Sequence, residues 1–282
     1  MFYNLLVMDF KYFSRNGKVL PIGEAVVPLS NIEYSYGFGV YETIRVSNGV
    51  TYFLKDHAER LMESARLVGL EHPFTVQFTA NAVADLVQNT EAESYNLKVL
   101  LIGASAKEAA TLFILCLNPL FPDKKLYRDG ASFITREHER MFPHAKTLNM
   151  LGSYLALRDA KTAGAYDALL IDRRDCITEG TRTNFFCMKE RTIVTPKESD
   201  ILLGVTRKAV LKVALKNGFA LEERDIKPGD LGLYDGAFVT SSSSKIVPVR
   251  SIEAHVFGEP PAAVHEIMRL FDVFLAECKG VM

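Results

Sequence analysis

The chain has 282 residues, and its 33 Lys and Arg residues against 34 Asp and Glu residues give a net charge of −1 at pH 7. At ~150 residues per domain, this length predicts one large or two ordinary domains, and the balanced charge argues against nucleic-acid binding through a basic surface. The hydrophobic share of 48% and the charged share of 24% exclude a disordered chain, a coiled coil and a disulfide-stapled miniprotein.

The cysteines and the N-terminus indicate the compartment. The four cysteines are widely spaced with no C-x-x-C pair, so neither a zinc site nor a disulfide framework is indicated, and no metal is expected. Residues 1–11 lack a basic segment, and Asp9 and Lys11 interrupt their apolar run, so no signal peptide is predicted. Apolar stretches fall far short of the ~20 residues of a spanning helix. We expect a cytoplasmic protein without membrane or nucleic-acid partners.

The first half of the chain shows a clear hairpin pattern. Gly39–Leu54 contains β-forming residues on both sides of Asn48-Gly49, a strong turn signal. Asp56 is predicted to cap the helix that follows, whose apolar residues recur at helical spacing. The other elements predicted here are a helix over about 78–87 and strands, buried on both faces, over 97–102 and 111–117.

A boundary is predicted at residues 119–124, because two prolines close together cannot continue a strand. This linker separates domain 1–118 from domain 125–282. The second domain is predicted to contain, in order, a strand at 132–136, a helix at 151–163, a strand at 168–172, a hairpin of 183–188 and 192–195, a helix from Gly204 to Gly218, strands at 238–240 and 245–249, and a helix at 262–278.

Three features suit an anion such as a phosphate. Gly204 opens a helix whose first N–H groups carry the positive end of the helix dipole, and Thr206 adds a hydroxyl. The serine run 241–244 forms a small turn that an anion could approach, and Arg60 offers several planar donors. Each feature alone has an ordinary alternative: a plain helix start, a solvated serine loop, and a surface arginine paired with Glu59 or Glu63.

Two further residues suit an aldehyde and a ring nitrogen. Lys146 lies among apolar residues, and desolvation lowers the pKa of a lysine and provides a neutral amine for Schiff-base formation. Glu179 precedes a buried strand and could hold a pyridine nitrogen protonated. The alternatives are a solvated lysine and a glutamate at a hairpin edge. All five features together supply the groups that pyridoxal phosphate requires.

Six motifs, in order between about Tyr34 and Val249, resemble those of the class IV (fold type IV) pyridoxal-phosphate aminotransferases. That family includes branched-chain and D-amino-acid aminotransferases and 4-amino-4-deoxychorismate lyases. The motifs are YGFGVYETIR at 36–45, HAERL at 57–61, KTLN at 146–149, EGTRTNFF at 179–186, LGVTR at 203–207 and the segment 238–249. The resemblance implies a two-domain α/β (α+β) fold, with a smaller N-terminal α/β domain and a larger C-terminal domain that contains a barrel-like sheet. It also implies a homodimer.

The resemblance also implies residue roles. Lys146 would bind the cofactor aldehyde and then move the substrate proton, and Glu179 would pair with the ring nitrogen. The residues implied for the phosphate are Arg60, Val205, Thr206 and Ser242. Those implied for the substrate side are Tyr36, Tyr41 and Tyr95, with the Ser242 and Ser243 amides facing the substrate carboxylate.

The chain departs from the family where the substrate is bound. Phe38 replaces a frequent aspartate, and Leu97 and Ile102 stand where related enzymes carry a substrate-binding arginine. The residue that binds the substrate carboxylate is therefore open among Arg45, Lys98, Arg136 and His138.

The leading interpretation is a pyridoxal-phosphate aminotransferase of branched-chain or D-amino-acid type. It would transfer an amino group between an amino acid and a 2-oxo acid by a ping-pong Schiff-base mechanism. One alternative is a lyase of the 4-amino-4-deoxychorismate type, which would release pyruvate without an acceptor. Another is a non-catalytic member of the family. The sequence leaves the stereochemistry and side chain of the donor open.

Overall fold

The computed structural model describes residues 10–119 and 122–278. These residues group into two compact units, the first comprising 10–119, 145–149 and 278, and the second comprising 122–144 and 150–277. The domain limits given above stay a prediction, and their residues 1–9, 120–121 (inside the linker) and 279–282 lie outside the described part. Across the described residues, every helix is too short or too polar to cross a membrane.

An antiparallel six-stranded sheet with the strand order β2-β1-β6-β5-β3-β4 forms the first unit. Its elements are β1 (Tyr12–Arg15), β2 (Lys18–Pro21), α1 (Ile32–Ser35), β3 (Gly39–Ser47), β4 (Val50–Thr51), α2 (Leu54–Leu67), α3 (Val76–Gln88), β5 (Ser94–Ile102) and β6 (Thr111–Leu117). One face of β3 and β5 packs with α2 and α3 into a core around Val40, Ile44, Leu61, Val83 and Leu101. Burial of such apolar surface is the main source of stability for this unit.

The predicted hairpin is confirmed. β3 and β4 pair antiparallel, and Asn48 and Gly49 have φ values of 50° and 76°. Two successive positive φ values define the turn that best matches the twist of a hairpin, and Asn-Gly is the favoured pair for it. The cap assigned to Asp56 is wrong, because α2 begins at Leu54 after Phe53, which has a φ of 56° and makes no side-chain cap. Asp56 lies in the first helical turn.

The second unit contains a closed ring of strands. Its elements are α4 (Lys124–Asp129), β7 (Ala131–Glu137), α5 (Leu151–Thr162), β8 (Asp167–Ile171), β9 (Ile177–Gly180), β10 (Asn184–Lys189), β11 (Thr192–Thr195), α6 (Val205–Lys216), β12 (Ala220–Glu223), β13 (Gly236–Ser241), β14 (Lys245–Ile252), β15 (His255–Val256) and α7 (Ala262–Glu277). Strands β10, β13, β14, β7, β8 and β9 pair in that order, and β9 pairs again with β10 at Glu179 and Asn184. The expected α/β fold with a barrel-like sheet is therefore confirmed.

The helices and strands predicted for the second half are present with bounds shifted by a few residues at most. Alternate residues of β10 and β13 fill the core of the ring, where Phe185, Val239 and Val247 are buried. Closing the sheet leaves few exposed strand edges, a common solution for a sheet of this size.

Candidate functional site

Lys146 belongs to the first unit, although it follows the predicted boundary in the chain. Its segment pairs with the start of β3: the Tyr41 N–H donates to the Lys146 carbonyl (2.9 Å), and the Leu148 N–H donates to the Gly39 carbonyl (2.8 Å). A Cβ at Gly39 would lie 2.9 Å from the Leu101 carbonyl oxygen and 2.7 Å from the end of the Leu148 side chain, so the backbone of β5 leaves room only for glycine here. The Lys146 N–H donates to the hydroxyl of Ser64 on α2 (3.1 Å). The backbone of Lys146 is thus fixed on both sides.

The amines of two lysines face the ring of Tyr41. The Nζ atom of Lys146 lies 4.6 Å from the ring centroid, and the Nζ atom of Lys98 lies 3.4 Å from it. Both distances are within the range of cation–π attraction, which an aromatic ring offers to an ammonium group. Tyr41 itself is buried, and its predicted place on the substrate side stays a prediction.

Glu42 follows Tyr41 in β3 and points to the opposite face of the strand, where it forms hydrogen bonds with Arg60 and His57 of α2. Arg60 donates from Nε and Nη2 to the two Glu42 oxygens at 2.6 Å each, and His57 Nδ1 lies 2.7 Å from Oε2. Glu42 is 0% exposed, so the pair is buried. The surface pairing of Arg60 with Glu59 or Glu63 is therefore wrong: those glutamates contact Lys55 and Arg66 instead.

The charges of this cluster follow from its contacts. Burial alone would raise the pKa of Glu42, but the adjacent Arg60 and His57, with their hydrogen bonds, hold it well below its usual range. Burial lowers the pKa of His57 and outweighs the attraction of Glu42. At neutral pH we therefore assign an ionised Glu42 and a neutral His57 whose Nδ1–H donates to it, since a carboxylate can only accept.

The other two tyrosines expected on the substrate side, Tyr36 and Tyr95, have different environments: one is exposed and the other lies in the core. Tyr36 is 81% exposed in the chain. Tyr95 is 1% exposed and belongs to the core beneath α2 and α3, where its ring lies 5.7 Å from that of Phe10. It pairs with Val46, five residues along β3 from Tyr41, and alternate strand residues point to opposite faces. The predicted substrate contact of Tyr95 is thus corrected to a core position.

In the second unit, Glu179 lies on β9 where the ring of strands closes. It pairs with Asn184 of the next strand, so it does lie in a hairpin, as the alternative expected, but it is buried, with 4% of its surface exposed. Arg140 Nη1 donates to its Oε1 at 2.9 Å, and the Leu202 N–H approaches its Oε2 at 3.4 Å. A carboxylate has about four acceptor sites, so these contacts orient Glu179 and leave it able to accept another hydrogen bond.

The start of α6 is held by Asn184, the strand partner of Glu179. Its amide donates to the Leu202 carbonyl at 2.8 Å, and its Oδ1 lies so close to Gly204 that a Cβ there would be 2.0 Å away. Gly204 is the N-cap and makes no side-chain cap, while Val205 and Thr206 in the first turn are buried. The first N–H groups of α6 are thus presented as an anion site requires.

The serine run forms the turn between β13 and β14. The Ser244 hydroxyl contacts that of Tyr166 at 2.9 Å, and the Ser241 hydroxyl accepts from the Ser244 N–H at 3.1 Å. The buried Thr240 hydroxyl has no hydrogen-bond partner among the described residues. Ser242 and Ser243 are half-buried, as a turn that binds a small ligand requires.

Each unit by itself carries groups whose chemistry fits a part of pyridoxal phosphate. In the first unit these are the amine of Lys146 and the guanidinium of Arg60. In the second unit they are the buried Glu179 carboxylate and the α6 N-terminus. The orphaned Thr240 hydroxyl at the serine turn is a further donor that a phosphate could satisfy.

Arg140, Ser64 and Asn184 were not predicted as site residues. Arg140 lies outside the six motifs, and its role depends on a hydrogen bond to Glu179, which is 39 residues away in the chain. Asn184 lies inside a quoted motif, so that motif could have drawn attention to it.

Comparison with known proteins identifies the family of the chain. The family model for amino-transferase class IV matches residues 39–252. D-alanine aminotransferase of Bacillus licheniformis is 30% identical over 255 residues, which cover 86% of this chain and 89% of that protein. A putative branched-chain-amino-acid aminotransferase of Methanocaldococcus jannaschii is also 30% identical, over 86% of this chain and 88% of its own. Branched-chain aminotransferase of Escherichia coli superposes with a TM-score of 0.88 at 21% identity, covering 96% and 97% of the two chains.

The chain belongs to the class IV aminotransferase family, and its activity is amino-group transfer with pyridoxal phosphate as cofactor. The lyase alternative is not favoured by these relatives.

Proposed function

We propose that this enzyme transfers the amino group of an α-amino acid to a 2-oxo acid in a ping-pong cycle, with Lys146 as its catalytic residue. The observation that carries the proposal is the fixed position of Lys146, whose backbone is bonded to Tyr41 and Ser64 while its amine lies over the Tyr41 ring. When bound, pyridoxal phosphate supplies an aldehyde and an electron-withdrawing ring.

The proposal gives each site residue its own role. The Lys146 amine would hold the aldehyde and move the proton of the substrate α-carbon. Glu179, oriented by Arg140, would accept a hydrogen bond from the ring nitrogen. Arg60, the Val205 and Thr206 amides and Ser242 would hold the phosphate. Tyr41 and the Ser243 amide would face the substrate.

The donor is an amino acid of the branched-chain or D-amino-acid class. Relatives of both kinds match at equal identity, 30% over 255 residues, so neither is favoured by resemblance. A panel of both enantiomers of alanine, leucine and glutamate, with the bound cofactor followed by absorbance before any acceptor is added, distinguishes them. Release of pyruvate without an acceptor would instead support the lyase.

The homodimer and the cytoplasmic location are parts of the same proposal. The family resemblance implies that Tyr36 faces the substrate, yet this residue is 81% exposed in the single chain. A second copy of the chain that covered Tyr36 would make it part of an enclosed site. Light scattering of the purified enzyme gives its mass, and fractionation of the source cells gives its location.

Lys146→Ala tests the catalytic assignment. We expect turnover to be lost, while the far-UV circular dichroism of the fold is retained. Borohydride should attach the cofactor covalently to the wild type and to Lys55→Ala, a control at an exposed lysine of α2, and not to Lys146→Ala. A Lys146→Ala variant that still transfers amino groups would remove this residue from the mechanism.

A further inference from the structure

Lys98 lies on the same face of the first sheet as Tyr41. It is on β5 opposite Thr43, and the alternation of the strand directs it away from the core side, where Leu97 and Val99 are fully buried. Its Nζ atom is 3.4 Å from the centroid of the Tyr41 ring, which the Lys146 amine also approaches. The amines of two lysines therefore share one aromatic ring.

The charges around Lys98 only partly offset the burial of its ammonium group, so its pKa is lowered. Burial lowers its pKa most, Tyr41 opposes this effect, and the charge of Lys146 adds to it. Within the described residues, Lys98 contacts the Tyr41 ring and forms neither a hydrogen bond nor an ion pair. Glu42, the nearest acid that acts on it, is already committed to Arg60 and His57. A partly desolvated cation of this kind is stabilised when an anion binds.

The other cations considered for the substrate carboxylate are less suited. Arg136 donates to Asp159 (3.1 Å) and to the Thr135 carbonyl (2.7 Å), so its guanidinium is engaged. Burial lowers the pKa of His138, which disfavours a positive charge there. Arg45 is on the same strand face as Tyr41 but four residues along, or about 13 Å at the rise of a β-strand.

We propose that Lys98 is the cation that binds the carboxylate of the amino acid and of the 2-oxo acid. This inference rests on the proposed function, since it places the substrate beside Lys146. It narrows the substrate class to amines that carry a carboxylate. A lysine suffices for this task because it acts as a point charge, and its Tyr41 contact limits the directions in which the ammonium can point.

The test compares substrates with and without a carboxylate. Lys98→Met removes the charge and keeps an unbranched side chain, Lys98→Arg keeps the charge, and Lys55→Met is the matched control on the exposed side of α2. For each holoenzyme, the half-reaction is measured with alanine, with glutamate and with 2-aminopropane, in which a methyl group replaces the carboxylate of alanine. Propionate binding is measured by calorimetry, independently of turnover.

We expect Lys98→Met to lower kcat/KM for alanine about 10- to 100-fold and to weaken propionate binding by a similar factor, the usual effect of a hydrogen bond to a charged group. The reaction with 2-aminopropane should change less than about twofold, and Lys98→Arg should restore part of the loss. Loss with both alanine and glutamate supports the assignment of the α-carboxylate to Lys98. Loss with glutamate alone would overturn it, because the side-chain carboxylate would then be the group that Lys98 binds.

An equal loss with 2-aminopropane, or no loss in propionate binding, would overturn the assignment of Lys98. Failure of the proposed function looks different, because then the wild type itself would react with none of the amino acids. The two failures are thereby distinguishable.

Discussion

Glu42 and Arg60 are joined by two parallel hydrogen bonds of 2.6 Å, although one lies on a strand and the other on the following helix. Two motifs of the chain, Y-E-T-I-R and H-A-E-R-L, thus meet in one contact, since His57 binds the same carboxylate. The pair fixes the guanidinium of the proposed phosphate ligand through two of its nitrogens. A bidentate arginine–carboxylate pair combines strength with a defined orientation.

Glu42→Gln should destabilise the protein strongly. The substitution leaves the Arg60 charge buried without its partner, and breaking a buried pair in this way costs about 3–5 kcal/mol. Urea unfolding followed by circular dichroism measures the loss. Glu63→Gln is the control, because the exposed Glu63–Arg66 pair contributes about 0–1 kcal/mol. Equal stability of the two variants would contradict the buried pair.

The stability of the protein should fall as the pH drops below about 6.5, the pKa of an unfolded histidine. Because burial lowers the pKa of His57 in the folded state, the unfolded chain takes up a proton there that the folded chain does not. The effect fades above about pH 7.5 and approaches about 1.4 kcal/mol per pH unit near pH 5.5, as long as the folded His57 stays neutral. Melting temperatures between pH 5 and 8 should show a smaller slope for His57→Gln, whereas His265→Gln, exposed on α7, should follow the wild type. Parallel slopes for all three proteins would disprove the neutral His57.

Gly204→Ala should weaken cofactor binding. The new Cβ would lie 2.0 Å from Asn184 Oδ1, so Asn184 or the start of α6 must move. Such overpacking costs about 1–3 kcal/mol, and the amides proposed for the phosphate would shift with the helix. Titration of the apoenzyme with pyridoxal phosphate measures the change. Gly229→Ala meets nothing within 4 Å and should bind like the wild type; unchanged affinity in Gly204→Ala would argue against a phosphate at α6.

Glu179→Ala should reduce the rate far more than the cofactor content, because its proposed partner is the ring nitrogen and not the phosphate. Arg140→Met should also reduce the rate, but by a smaller factor, since Glu179 keeps its carboxylate and loses only the 2.9 Å hydrogen bond that orients it. Cofactor content by absorbance and kcat from single-donor assays separate the two quantities. Arg173→Met, an exposed arginine paired with Glu139, is the control. An unaltered rate in Glu179→Ala would refute the ring-nitrogen role.

Local signals in the sequence predicted the local structure well. Asn48-Gly49 specified its hairpin and Gly204 the start of α6, since both depend on the conformations that these residues allow. The phase of β5 is also written in the sequence, because the apolar Tyr95, Leu97 and Val99 alternate with the polar Asn96 and Lys98. The substrate role expected for Tyr95 came from the motif resemblance, which does not use this alternation, and the expectation of a strand buried on both faces is wrong at Lys98, which is half-buried. The motif resemblance likewise identified Lys146 and Glu179, but their contacts with Ser64 and Arg140 depend on tertiary packing.

The pairing of the Lys146 segment with β3 has a consequence for biogenesis. The Tyr41 N–H cannot form its hydrogen bond until Lys146, about a hundred residues later in the chain, has left the ribosome. Pairing between such distant residues slows folding. A nascent chain that has completed only its first six strands lacks both the bridge at Val40 and the reactive amine. Cotranslational intermediates shorter than about 150 residues are therefore inert, and the lysine becomes fixed only when synthesis of the second unit has begun.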